Sequence, residues 1–187
     1  MIELKDRGAW FGDPLLKERT VALMKRHREL DHFLQGDYQT LRSPSGIGFK
    51  GCAVGCLVET SELGWVDNSN LMLRYDGDDS GAVAWHLAVQ EQFGIPAPVA
   101  AAIDGLFEHQ DDFEAAGDFA VAVVEAIPVG ADLSAISAIS NHTCDWYAGW
   151  CETCSAIDKW HDDSDLFIKD LANAPLVPAA RALILVG

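Results

Sequence analysis

A chain of 187 residues, 49% of them hydrophobic, is long enough for one well-buried core and short for two. Its net charge of −16 is lopsided: residues 1–50 hold nine Lys/Arg against seven Asp/Glu, and residues 51–187 hold four against 22. The acidic body disfavours direct binding of nucleic acid, which needs clustered cations to neutralise phosphates, and leaves solubility or a basic protein partner as its use.

The apolar runs "FAVAVVEAIPVGA" and "LVPAARALILVG" are interrupted by Glu125 and Arg181 and fall short of the roughly 20 residues a bilayer span needs. "MIELKDRGAW" has no signal-peptide core. The expectation is a soluble, cytoplasmic chain with no membrane contact, whose five cysteines are reduced thiols or metal ligands.

Asp13-Pro14 predicts a helix start, with Asp as N-cap and Pro at the first helical position, and Gly36 predicts its stop. Between them Leu16, Leu23 and Leu30, with Thr20, His27 and Leu34, recur at heptad-like spacing and make one apolar stripe. Lys17, Arg19, Lys25, Arg26 and Arg28 give the helix a basic face. Residues 37–50 are turn-rich and leave room for a short strand or hairpin, with a strand expected near Tyr38 to Leu41. "CAVGCLVE" reads as a short helix and "LGWVDNSNLMLRYDGDDSG" as an irregular loop. Four helices follow: Ser80 to Phe93 closed by Gly94, Pro96 to His109, Asp111 to Ile127 stopped by Pro128, and Ala131 to about Trp160. Shorter ones near Leu166 to Asn173 and Pro178 to Val186 finish the chain. The expected class is all-α or nearly so, as a single helical domain over residues 1–187.

The stretch "GIGFKGCAVGC" contains G-x-G-x-x-G at Gly46, Gly48 and Gly51. No apolar strand precedes it and no βαβ unit surrounds it, so it is not read as a dinucleotide fingerprint. On a helix, Gly51 with Gly55 and Cys52 with Cys56 share a face. Three readings stay open for it: a small-residue face pressed against another helix, a pair of thiolate metal ligands, or a reactive Cys52. In the last, the helix N-terminus and Lys50 would lower the thiol pKa, His86 would act as base, and Asp104 or Glu108 would orient it.

Other groups carry competing readings. "NHTCDWYAGWCETCSAIDKWH" offers Cys144, Cys151, Cys154 and His161 as a zinc set, or else buried structural cysteines in a tryptophan-rich helix. "DGDDSG", Asp76 to Gly81, matches the first half of a calcium loop, but Leu87 stands where the bidentate Glu belongs, which favours an acidic turn capping the next helix. Asp104 and Glu108 form an i, i+4 carboxylate pair that could bind a metal or share one proton if buried, and is solvated charge otherwise.

The motifs "KGCAVGCL" (Lys50 to Leu57), "FGIP" (Phe93 to Pro96), "IDGLFE" (Ile103 to Glu108) and "AIPVGADL" (Ala126 to Leu133) occur in this order. Together, over about residues 14–140, the chain resembles a family of small uncharacterised proteins of bacteria, actinobacteria especially, and of their phages. The Trp/Cys-rich tail, about 141–187, lies outside the resemblance. What it implies is a phage or mobile-element setting and nothing catalytic. The expected function is therefore non-catalytic binding of a host protein or a small ligand, without a cofactor. Lys50, Gly51, Cys56, Asp104 and Asp132 are the binding candidates. The alternatives are a Cys/His-dependent hydrolase or transferase built on Cys52, His86 and Glu108, and a structural zinc protein built on Cys144, Cys151, Cys154 and His161.

Overall fold

The computed structural model describes residues 7–41, 49–61, 63, 71, 74, 82–140 and 159–178, and within them the chain is helical apart from one small strand pairing. Asp13 caps α1 (Pro14–Glu29) by accepting the Leu15 N–H at 2.9 Å, with Pro14 in the first turn. The helix stops short of Gly36. Asp31 takes a left-handed φ of 54°, and the His32 N–H returns to the His27 carbonyl. This early exit lets Phe33 enter the core and pair with Gly51 in an isolated parallel bridge. The buried stripe of α1 is accordingly Thr20, Met24 and His27, while Leu30 is exposed. The expected hairpin near residues 37–50 is present as β1 (Thr40–Leu41) and β2 (Phe49–Lys50), antiparallel, with Thr40 opposite Lys50 and Leu41 opposite Phe49.

Among the described residues, a 3-10 turn spans Ala9–Gly12, and the further α-helices with described bounds are α2 (Ala53–Glu59), α3 (Ala82–Phe93), α4 (Ala97–Glu108), α5 (Phe113–Ala126), α6 (Ser134–Ser140) and α7 (Ser164–Ala172). Every residue of α2 from Ala53 to Val58 is buried, which its apolar sequence permits on all sides, and α1, α3, α4 and α5 pack around it. The expected helix from Ala131 begins three residues later. Ala131 is held in an antiparallel bridge with Leu176, and the Asp132 carboxylate accepts the Ser134 N–H at 3.0 Å to start α6. Residues 141–158, and the helix expected from Pro178 beyond its first residue, lie outside the described residues.

The basic face of α1 is met by acidic groups of α5. Lys25 pairs with Glu125 at 2.6 Å and Arg28 with Asp118 at 2.7 Å, while Lys17 donates to the Glu125 carbonyl. These pairs are largely exposed, each worth at most about 1 kcal/mol, so they orient α1 on α5 more than they stabilise it. The apolar core beneath, from Trp10 and Met24 through Phe107 to Phe167, carries the stability.

His27 is the polar exception in that core, 6% exposed. Its Nε2 lies 3.1 Å from Glu59 Oε2 and its Nδ1 3.0 Å from His32 Nδ1. Two facing Nδ1 atoms can share only one proton, so the pair excludes the doubly charged state. Burial, then the neighbouring His32 and Arg26, lower His27 from its ordinary 6.5 to about 4, and His32 is lowered too. Between those pH values the unfolded chain binds a proton that the native chain refuses, so stability falls as pH falls. Burial raises the Glu59 carboxyl, which opposes this loss at the acid end. Denaturant unfolding is expected to show native stability dropping by about 2 kcal/mol from pH 7 to pH 5, with a clearly smaller drop for His27→Gln. Parallel profiles for the two proteins would contradict the assignment.

Gly51 and Gly55 do form a close-approach surface, but its partner is an extended segment and not a helix. A Cβ on Gly55 would lie 1.4 Å from the Tyr38 carbonyl oxygen, and one on Gly51 2.2 Å from the same atom. The obstacle is backbone, so it cannot swing aside. Gly55→Ala is expected to cost at least about 3 kcal/mol. Gly105→Ala, at an open position within α4, should be neutral or stabilising by up to about 1 kcal/mol. Equal melting temperatures for the two variants would refute the seating of Tyr38 on α2.

Candidate functional site

The segment seated on Gly51 and Gly55 is stitched to three helices. The Gln35 amide donates to the carbonyls of Phe107 and Gln110 at the end of α4, at 3.0 and 3.1 Å. The Gly36 N–H donates to Glu108 Oε2 at 2.8 Å, and the Cys52 N–H to the Asp37 carbonyl at 2.8 Å. Tyr38 stacks on Trp85 of α3, with ring centroids 5.2 Å apart and planes 4° from parallel. Its hydroxyl donates to Asp104 Oδ2 at 2.7 Å, and the Gln39 amide donates to the Gly55 carbonyl. Between segment and helices lies a cleft of about 270 Å³ lined by Gly36, Asp37, Tyr38, Cys52, Asp104 and Glu108.

Within this cleft one donor atom each from Cys52, Asp104 and Glu108 lies within 4.8 Å of the other two. Cys52 comes from the N-cap of α2, where its sulfur accepts the Gly55 N–H at 3.4 Å. Asp104 and Glu108 come from successive turns of α4, whose i, i+4 spacing stacks them on one face. Burial, then the neighbouring Asp104 carboxylate, raise the Cys52 thiol well above its ordinary range. Burial likewise raises the Glu108 carboxyl, against the pull of the Gly36 N–H. Asp104 Oδ1 meets no nitrogen or oxygen donor among the described residues, and the Cys52 thiol beside this carboxylate is only a weak donor. His86 stands behind it, with Nε2 3.5 Å from Asp104 Oδ2 and 3.4 Å from the Tyr38 hydroxyl.

The nucleophile expectation meets a different geometry. Cys52 is 1% exposed, its thiol is raised and not lowered, and the Lys50 ammonium is engaged by Asp31 at 3.0 Å. Among the described residues no hydrogen bond joins His86 to Cys52; the imidazole faces Asp104 and Tyr38 instead. A buried thiol held neutral by burial and by the neighbouring Asp104 carboxylate is a poor nucleophile. Cys56 is also buried, donating to the Gly51 carbonyl at 3.4 Å, and both thiols are free. Asp132 serves α6 as a cap, held below its ordinary range by Ser134, and does not line the cleft. His161 is exposed and packs on His109, at 4.5 Å between ring centroids. Cys144, Cys151, Cys154 and the loop Asp76 to Gly81 lie outside the described residues.

Tyr38 and Asp37 complete the cleft without any signal in the sequence that marks them. They sit in a turn-rich connection with no periodicity, and the contact that matters, Tyr38 with Asp104, spans 66 positions. A larger groove of about 550 Å³ runs between α1 and α5, but its Lys17, Lys25 and Glu125 already satisfy one another. Set against models of protein families, curated proteins and solved structures, the chain matches none. Function is therefore read from the cleft's own chemistry.

The burial of the thiols is open to direct measurement. Iodoacetamide labelling followed by peptide mapping should find Cys52 and Cys56 modified at least about a hundredfold more slowly in the native chain than in denaturant. Native labelling of Cys52 at the rate of an exposed thiol would restore the nucleophile reading.

Proposed function

We propose that this protein works by binding without turnover, and that its ligand is a small positively charged group held in the cleft between the Gly36–Tyr38 segment and helices α2 and α4. The observation that carries this reading is Asp104 Oδ1, a buried acceptor that meets no nitrogen or oxygen donor among the described residues, with only the weak Cys52 thiol beside its carboxylate, in a cleft whose described lining holds Asp37, Asp104 and Glu108 and no Lys or Arg. Leaving such an oxygen unpaired costs about 1–3 kcal/mol, which a bound cation or donor recovers. At about 270 Å³ the cleft is below the size of most drug-like pockets and suits an ion with its waters or a compact amine. The surplus of acidic residues beyond position 50 would concentrate such ligands at its mouth.

Of the two partner types expected, a small ligand and a host protein, the cleft favours the first. Cys52 lies within "KGCAVGCL", and Asp104 and Glu108 within "IDGLFE". Sequestering a small ligand also suits the phage or mobile-element setting that resemblance implies.

Thermal unfolding against a panel of methylammonium, guanidinium, Mg²⁺ and Zn²⁺, with matched anions as controls, tests this. At least one cation should raise the melting temperature by about 5–10 °C at a concentration a hundred times its Kd, and Asp104→Asn should abolish the shift. No shift with any cation, or shifts unchanged in Asp104→Asn, would overturn the proposal.

A further inference from the structure

Resting on the reading of the cleft as a cation site, we infer that its occupant is a divalent transition-metal ion of the zinc class, held by Cys52 Sγ and by one oxygen each of Asp104 and Glu108. The three donors come from two different elements and gather within 4.8 Å of one another. A tetrahedral zinc with Zn–S near 2.3 Å and Zn–O near 2.0 Å needs donors about 3.5 Å apart, so closure of about 1 Å completes the set.

The hydrogen bonds around the donors favour a metal over an organic cation. Each carboxylate has one oxygen held by the protein: Asp104 Oδ2 by the Tyr38 hydroxyl at 2.7 Å, and Glu108 Oε2 by the Gly36 N–H at 2.8 Å. That division orients the carboxylates as outer-shell partners orient metal ligands, and among the described residues it leaves buried Asp104 Oδ1 facing no nitrogen or oxygen donor. His86, 3.5 Å from Asp104 Oδ2, extends the shell.

The donor set also selects the metal. One sulfur with two carboxylates suits zinc, cobalt or cadmium and lacks the six oxygens that magnesium or calcium require. Three protein donors leave the fourth tetrahedral position to water or to the donor atom of a second ligand. On binding, the Cys52 sulfur loses its proton to solvent as the metal–sulfur bond forms.

Titration of the metal-free full chain with Co²⁺ tests the inference. The expected result is one equivalent bound, with visible bands of four-coordinate cobalt and a near-ultraviolet thiolate-to-cobalt charge-transfer band, all removed by Zn²⁺ and unaffected by excess Mg²⁺. Cys52→Ser should lose the charge-transfer band, and Asp104→Asn and Glu108→Gln should each weaken binding by at least about 100-fold, more than loss of an outer-shell partner costs, with native helical circular dichroism retained. A charge-transfer band that persists in Cys52→Ser would assign the metal to other cysteines and overturn the inference; Asp104→Asn alone decides the matter if Cys52→Ser does not fold. No binding of Co²⁺ or Zn²⁺, while methylammonium or guanidinium still stabilises the chain through Asp104, would overturn the metal and leave the cation cleft standing. Failure of every cation would remove both.

Discussion

The structure depends on the seat that Gly51 and Gly55 provide for the Tyr38 backbone. No side chain larger than hydrogen fits at Gly55, because the Tyr38 carbonyl oxygen occupies the space a Cβ would take. From that contact follow the Cys52 to Asp37 hydrogen bond, the stacking of Tyr38 on Trp85 and the reach of its hydroxyl to Asp104. A chain held 1 or 2 Å further from α2 would keep its helices and lose the cleft.

The same seat explains how acidic groups come to be gathered where burial raises Glu108 and Cys52. Helix α4 is anchored at its C-terminal end by Gln35 and packs on α2 and α3. This holds the backbone that carries Asp104 and Glu108 against the cleft. A fold that merely needed stability would fill this space with apolar side chains, since an unpartnered buried oxygen is a net cost. The cost is localised at Asp104, next to the cavity that can relieve it. His27 shows the contrasting case: its polar groups are also buried, but Glu59 and His32 satisfy both ring nitrogens.

Much of this fold is legible in the sequence because it rests on local rules. Asp13-Pro14 marks a helix start through capping and Pro128 follows the end of α5, while the caps Asp112 and Asp163 lie within a few residues of the starts expected at Asp111 and near Leu166. The narrow face of Gly51, Cys52, Gly55 and Cys56 suggests a close approach as one of its readings. What the sequence does not announce is the partner. An extended segment carries no periodic pattern, so Tyr38 resembles any loop tyrosine until the fold places it over α2. The end of α1 is hidden for a related reason: Leu30 and Leu34 continue the heptad spacing, and the turn at Asp31 accompanies the pairing of Phe33 with Gly51, a contact distant in sequence. Cys52, Asp104 and Glu108 are visible singly as chemistry-bearing residues. Their convergence, and the turning of His86 toward Asp104 and away from Cys52, are tertiary facts.

Amide hydrogen exchange at Cys52 tests the seat most directly, because its N–H is bonded to the Asp37 carbonyl across the contact between segment and helix. The account predicts that this amide, in the ligand-free protein, exchanges only through global unfolding, as slowly as the most protected amides of α4. Exchange at the rate of an exposed loop, with α4 still protected, would mean that the segment is not docked and that the cleft is not preformed.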